Sequence, residues 1–460
     1  MTATRPTSDH PLVIVGAGPI GLAAAAHAVE RGVPTVVVEA GPTPGAAVAA
    51  WGHVRLFSAW SELVDPAAAR LLASHRWTAP DPTTYPTGGE WVERYLMPLA
   101  AALADAGVTL RLGHRVVGLA RHGRDRLVAL DRATLPFVVH LDGPTGAERL
   151  LAGAVIDASG TYDSPQPLGG DGYPALGELA HTDRIAYGIP DLGDPAVRAR
   201  YAGRHVAVAG SGASAQNVLV ALAGLAAEEP ATRVTWLVRR PSVDGAFGGG
   251  DADELAERGA LGRRAERAVT GGTTEVVTSF RTRAIEDDGH GRLRLRSFPE
   301  AHEQLDAPGR VIDGVDRIVA VTGFAPDHSW LRQVHLDLDG ELDAPRSLAP
   351  EIHPAHHSCG SVSPHGADLL RQPEGGLYLA GMKSYGRAPS FLALTGFEQV
   401  RSIVAEIAGD HEAAARVELT LPDTGVCGGS GLFDGAPAAG GCCGTAPAPE
   451  LLHIGTAPGA

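Results

Sequence analysis

Three glycines near the start of the chain, Gly16, Gly18 and Gly21, follow the apolar run Leu12–Val15 and precede an alanine-rich stretch. In that order the first glycine allows a tight turn, the second lets an anionic diphosphate approach the backbone, and the third lets a helix lie close on the strand. Pro19 suits the first helical turn, where its missing N–H costs nothing. A second apolar run, Thr35–Val38, ends in Glu39. A carboxylate at that strand end takes a ribose 2′-hydroxyl and repels a 2′-phosphate. Strand, turn, helix, strand and acid in sequence therefore predict a site for FAD or NAD rather than NADP. Its position at the head of the chain favours FAD, because extended FAD usually nucleates the first domain of two-nucleotide flavoenzymes.

A second set has the same order. His205–Ala209 is apolar, Gly210 and Gly212 open the turn with Ser214 beside them, and Ala215 takes the third position. Its second strand, Arg233–Val238, ends in Arg239 and Arg240 where the first unit has an acid. Two guanidiniums at a strand end suit a 2′-phosphate, which predicts NADPH; a solvated basic pair is the alternative.

Other residues gather around these turns in the expected order. The buried strand Ala154–Asp157 leads into small residues, with Ser159 and Gly160 placed for close approach to the FAD diphosphate. Trp51, Arg55, Phe57 and Trp60 cluster in a chain poor in aromatics, and Trp51 and Arg55 are candidates to line the flavin or substrate pocket. The strand ending at Gly381 leads through Lys383 and Arg387 into a helix expected from Pro389 to Ile407. Such a helix aims its N-terminal N–H groups at the flavin pyrimidine ring, and Lys383 and Arg387 would add to that positive field; surface charge is the alternative for both. Lys383 is the only lysine among 38 basic residues. Either arginine has replaced lysine through a GC-rich coding bias, or this one position needs an ammonium that a guanidinium cannot replace. Cys359 lies in a histidine-rich loop whose spacing fits no regular zinc site, so no metal is expected. It is read as a redox or substrate-facing thiol, or as a buried inert one.

These residues need a two-unit α/β scaffold. The expected elements are a helix over Thr87–Ala106, strands at Val108–Leu112, near Arg126–Leu130 and at Phe137–Leu141, a Gly/Pro crossover at Thr161–Gly177, and a glycine-rich mobile lid or surface excursion at Gly245–Arg267. Strands follow at Thr274–Ser279 and Arg292–Phe298, and Val315–Phe324 is expected to return the chain to the first domain. The fold class is thus α/β, with two Rossmann-like three-layer domains, the NADPH domain inserted in the FAD domain, and a flexible C-terminal tail. The expected boundaries are 1–170 for the first part of the FAD domain, 171–315 for the NADPH domain, 316–410 for the second part of the FAD domain, and 411–460 for a cysteine-bearing tail. After a short strand at Val417–Leu421 that tail becomes rich in Gly, Ala and Pro and is expected to be largely disordered.

Composition bounds the function. The chain has 460 residues, enough for two or three domains, and a formal net charge of −15. An acidic surface disfavours nucleic acid and anionic membrane as partners. No apolar run long enough to span a bilayer and no apolar signal core are present, so a cytoplasmic protein is expected. Four cysteines, three of them in the tail, do not make a disulfide scaffold.

The order of the two glycine turns, with the small-residue strand ends Ala158–Gly160 and Val321–Phe324, resembles the class B flavin monooxygenase and thioredoxin reductase superfamily over about residues 10–410. The monooxygenase fingerprint is matched at Gly177 and His181 and departed from at Ala175 and Ile185, where aromatics belong. No C-x-x-C lies in the second unit and no cysteine pair follows the first helix. Trp51–Trp60, the His-Ser-Cys-Gly stretch ending at Gly360, the run Gly381–Pro389 and the cysteine-bearing tail look like the flavin monooxygenase-like proteins of actinobacterial arsenic-resistance operons. That resemblance implies an NADPH-consuming FAD oxidoreductase acting with molecular oxygen, through a C4a-peroxyflavin, on a soft heteroatom or organoarsenical. It also implies a small-molecule substrate, with a homodimer allowed. Cys427, Cys442 and Cys443 would offer three soft thiolates to trivalent arsenic, or do nothing. The alternatives are a metalloid or disulfide reductase using the tail thiols, and a flavin-bearing arsenic sensor or carrier.

Overall fold

The computed structural model describes residues 6–248, 250, 253, 255–300, 307–354 and 365–419. Sixteen strands are present among them: β1 (Leu12–Val15), β2 (Thr35–Val38), β3 (Thr109–Arg111), β4 (Arg115–Arg121), β5 (Phe137–Gly143), β6 (Gly146–Ala152), β7 (Ala154–Asp157), β8 (Ile185–Tyr187), β9 (His205–Ala209), β10 (Arg233–Leu237), β11 (Thr274–Val277), β12 (Thr282–Asp287), β13 (Leu293–Ser297), β14 (Val311–Val315), β15 (Arg317–Ala320) and β16 (Leu377–Leu379). They form two parallel five-stranded sheets, ordered β16-β7-β1-β2-β3 and β11-β10-β9-β15-β8, and two three-stranded antiparallel sheets, β4-β5-β6 and β12-β13-β14.

The alternation of side chains along a strand explains the layering. Leu12 and Ile14 pack with the helices, whereas Val13 and Val15 pack against Leu119, Phe137, Val139 and Leu141 of the β4–β6 sheet. Both faces are covered, so every residue of β1 is buried and apolar. The second unit repeats the arrangement. Val206 and Val208 pack toward the helix Ala213–Glu228, and Ala207 and Ala209 toward Ile285, Leu293 and Leu295 of the β12–β14 sheet. Each unit is thus helices, parallel sheet and antiparallel sheet.

Several expectations are corrected by the fold. β15 does not return the chain to the first sheet. It pairs with β9 and β8 in the second, and Val321 donates its N–H to the Ala209 carbonyl. The return follows it, where residues 322–325 run against 164–166: Gln166 N–H donates to Gly323 O, Ala325 N–H to Ser164 O, and Tyr162 stacks on Phe324 with ring centroids 5.2 Å apart. The region Arg126–Leu130 is not a strand but an exposed loop between β4 and β5, with Leu127 92 % exposed. Of the lid or surface excursion expected at Gly245–Arg267, the described residues are held against the second unit. Gln216 donates to Ala246 O, and a Cβ on Gly262 would lie 1.8 Å from Phe247 O, so the helix Ala256–Ala268 carries a notch that seats this backbone.

The long helix begins at Gly88, is interrupted by one π-type turn at Val92–Leu96, and ends at Asp105. Pro98 explains the turn. It has no N–H for the Arg94 carbonyl, which accepts the Trp77 indole N–H at 2.7 Å instead. The last long helix starts at Ala393, not Pro389, runs to Ala408, and closes on Gly409 at φ +84°. Residues 417–419 are not a strand, and the rest of that expected element lies outside the described residues.

Candidate dinucleotide sites

At the first turn each glycine is set by a different neighbour. Gly16 has φ +103°, and a Cβ there would lie 2.6 Å from Ala158 O. A Cβ on Gly21 would lie 1.9 Å from Gly16 O, so only glycine lets the helix Pro19–Glu30 sit this close. Gly18 has nothing within 4 Å of a built Cβ and caps the helix without a side-chain hydrogen bond. The first-turn N–H groups beside open space form a cradle for an anion. Glu39 bends back onto this loop. One carboxylate oxygen accepts the Ala17 N–H at 2.7 Å and the other the Gly41 N–H at 2.6 Å. Each oxygen retains a lone pair for a ribose hydroxyl. These residues fit the diphosphate and ribose of FAD.

Beside this cradle, β7 and β16 bring Asp157 and Lys383 together. Lys383 Nζ lies 2.7 Å from Asp157 Oδ2 and donates to Ser159 Oγ at 3.1 Å, and it sits 5.2 Å from the centroid of the Trp330 ring. The two charged side chains are 1 % and 0 % exposed. Asp157 Oδ1 accepts both the Ser159 N–H, at 3.1 Å, and the Ser159 hydroxyl, at 2.6 Å. The only lysine is therefore a compact tetrahedral donor in a closed site, which a planar guanidinium does not match. Nearby, His328 is held below the usual imidazole range by burial and then by the Lys383 charge, and its Nε2 lies 3.1 Å from Asp343 O.

Lys383 and Arg387 do not converge. Arg387 is half-exposed and bound to Asp343 at 2.7 Å, so its guanidinium serves that loop. Gly381, at φ +69°, donates its N–H to Gln399 Oε1 at 2.8 Å, and a Cβ there would lie 3.2 Å from Ile20 of the first helix. Gln399 also donates to Ser384 Oγ and meets His365 Nε2. This buried amide fixes the turn after β16. Trp51 is half-buried, its ring against Gly88; Arg55 is exposed and donates to Tyr85 O; Trp60 is core. Gly160 adopts φ +69° with nothing near a built Cβ.

The second turn repeats the first. Gly210 has φ +127° and a Cβ there would lie 2.2 Å from Val321 O; Gly212 is open; Ala215 is buried in the third position and carries its methyl without difficulty. Gly212 caps the helix Ala213–Glu228 with no side-chain hydrogen bond, and Ser214 lies in its first turn. Trp236 donates its indole N–H to Gly210 O at 2.7 Å, locking the turn to β10. Arg239 is exposed and Arg240 half-buried just beyond β10, one strand over from the turn. The open Gly212 and the first-turn N–H groups of this helix form a second cradle for an anion.

Four residues of this framework carry no motif: Asp157, Trp330, Gln399 and Glu178. Glu178 is fully buried in the Gly177–His181 stretch, where it accepts N–H groups from Leu168 and Ala175 and the Tyr187 hydroxyl. An acid ending an otherwise apolar buried strand was the available signal for Asp157. Cys359, Cys427, Cys442 and Cys443 lie outside the described residues. Among the described residues there is no group of three or more His, Cys, Asp or Glu able to hold a metal, and no helix long and apolar enough to cross a membrane.

Residues 11–163 match the model of the FAD dependent oxidoreductase family. The match takes in the first glycine turn and, with the layered sheets, supports an oxidoreductase. Its fold is that of several solved enzymes. The bacillithiol disulfide reductase of Bacillus cereus is 20 % identical with a TM-score of 0.62, over 87 % of this chain and 99 % of that one. The ornithine N-hydroxylase of Kutzneria sp. 744 is 17 % identical with a TM-score of 0.52, over 88 % and 99 %. A flavin-containing monooxygenase of Stenotrophomonas maltophilia is 20 % identical with a TM-score of 0.51, over 87 % and 98 %. A search among curated proteins finds no match.

Proposed function

We propose that the chain is an NADPH-consuming flavin monooxygenase acting on a soft heteroatom, with an organoarsenical as the substrate class. One observation carries the choice between oxygen chemistry and thiol chemistry: residues 1–358 contain no cysteine, so every strand and turn of both nucleotide sites is free of thiols before Cys359. A disulfide reductase passes electrons through a thiol at the flavin, and here it would have to come from Cys359 or from Cys427, Cys442 and Cys443. Bound FAD would supply hydride acceptance from NADPH and activation of oxygen. The chain's part is to hold FAD by Gly16, Gly18, Gly21 and Glu39 and NADPH by Gly210, Gly212, Arg239 and Arg240. The tail cysteines are the candidates to bind trivalent arsenic as thiolates.

The test is NADPH consumption in air by FAD-loaded protein, with and without a trivalent organoarsenical or an organic sulfide. Oxygenated product equal to the NADPH consumed supports the reading. NADPH consumption that yields only hydrogen peroxide, whatever is added, contradicts it. The second reading is a metalloid or disulfide reductase, in line with the disulfide reductase among the solved relatives. It predicts anaerobic turnover that is lost on truncation after Asp410.

A further inference from the structure

We propose that Lys383 and Asp157 form a charge-neutral positioning device for the turn Ala158–Gly160, which backs the FAD diphosphate; the inference rests on FAD binding at the first turn. Asp157 is the last residue of β7 and pairs in register with Val15, the residue before Gly16. The turn it starts lies against the phosphate loop, since a Cβ on Gly16 would come within 3.1 Å of Ser159 Cα. Both the backbone N–H and the hydroxyl of Ser159 are held by one carboxylate oxygen, Asp157 Oδ1. The other oxygen faces the ammonium. Asp157 thereby sets the turn, and Lys383 holds the Asp157 carboxylate aimed.

The arrangement also fixes the local charge. An ammonium alone beside the flavin would favour the reduced, more anionic form. Paired in a closed site with a carboxylate at 2.7 Å, its field is largely cancelled. Lys383 is therefore a positioning residue rather than a catalytic cation. Each partner keeps contacts of its own once the other is gone. Ser159 donates twice to Asp157, while Ser159 Oγ and the Trp330 face remain for Lys383.

The experiment compares FAD affinity, flavin midpoint potential and apoprotein melting for the wild-type chain, Lys383→Met, Asp157→Asn and the double variant Lys383→Met/Asp157→Leu. The expected potential shifts downward in Lys383→Met, where an unpaired anion remains, and upward in Asp157→Asn, where an unpaired cation remains. A merely structural pair would not give shifts of opposite sign. The double variant leaves no unpaired charge, so it is expected to melt near the wild type. It should still bind FAD about tenfold or more weakly, because Ser159 has lost both bonds to a charged acceptor. Shifts of the same sign, or none, overturn the inference, as does unchanged FAD affinity in the double variant, which decides the matter even if a single variant does not fold. A wild-type chain that takes no FAD overturns the functional reading as well.

Discussion

The Glu39 carboxylate accepts the Ala17 N–H at 2.7 Å, so the acid at the end of β2 braces the same loop whose ligand it is placed to recognise. With Gly41 on its other oxygen, Glu39 joins the ribose end of the site to the diphosphate end. Removing the charge weakens both links at once. Hydrogen bonds to charged groups contribute about 1.5–3 kcal/mol each. Glu39→Gln is therefore expected to weaken FAD binding roughly 10- to 100-fold, measured by titrating apoprotein with FAD and following flavin fluorescence.

The glycines of the first turn separate binding from folding. A methyl at Gly18 meets no protein atom, so Gly18→Ala should leave apoprotein melting unchanged while FAD affinity falls. A methyl at Gly21 would lie 1.9 Å from Gly16 O, so Gly21→Ala should lower the melting temperature of the apoprotein itself. Thermal melts with and without FAD check both. Equal behaviour of the two variants would contradict the assigned roles.

Arg239 and Arg240 set the choice of reductant in this account. Changing both to alanine should raise KM for NADPH roughly 10- to 100-fold, as expected for loss of charge-assisted contacts to a 2′-phosphate, and leave KM for NADH nearly unchanged. Steady-state kinetics with the two dinucleotides measures the difference.

A single buried lysine gives a direct view of local opening. Lys383 is the only ε-amine in the chain, and its side chain is 1 % exposed. An amine-specific reagent should leave Lys383 of the native protein intact, with its modification appearing only under denaturing conditions. Peptide mass spectrometry reads the site. Rapid labelling of Lys383 in the native chain would contradict its closed position.

Two histidines predict the acid side of the stability profile. Burial, followed by the charge of Arg233 at His205 and of Lys383 at His328, holds both imidazoles below their ordinary value of about 6.5. The unfolded chain then binds more protons than the folded one as pH falls below about 6.5. Stability contributed by the neutral histidines is complete above that value and is lost as pH falls toward their folded-state values. Melting temperature should drop between about pH 7 and pH 5, and His205→Asn should flatten the drop.

Much of the fold could be read from residue types because the backbone itself demands them. Gly16, Gly21 and Gly210 sit where a Cβ would strike a carbonyl oxygen, and that requirement is local enough to show as a spacing. The pair Asp157–Lys383 could not be read that way. Lys383 and its partner Ser159 are 224 residues apart in sequence and meet only because β16 lies beside β7. The sheet that β15 joins is hidden in the sequence for a related reason. A short buried apolar strand does not say which sheet it joins, and its place beside β9 follows from the fit of Gly210 against Val321. Arg387 precedes a helix and looked like part of its field, but the loop carrying Asp343 lies closer to its guanidinium.

The central claim is that two nucleotides occupy the two turns and that electrons pass from NADPH to FAD. Anaerobic mixing of the FAD-loaded protein with NADPH or with NADH, followed by the visible absorbance of oxidised flavin, tests it most directly. The account predicts rapid bleaching with NADPH and much slower bleaching with NADH. A chain that takes up no FAD, or bound flavin that stays oxidised in excess NADPH, would contradict it.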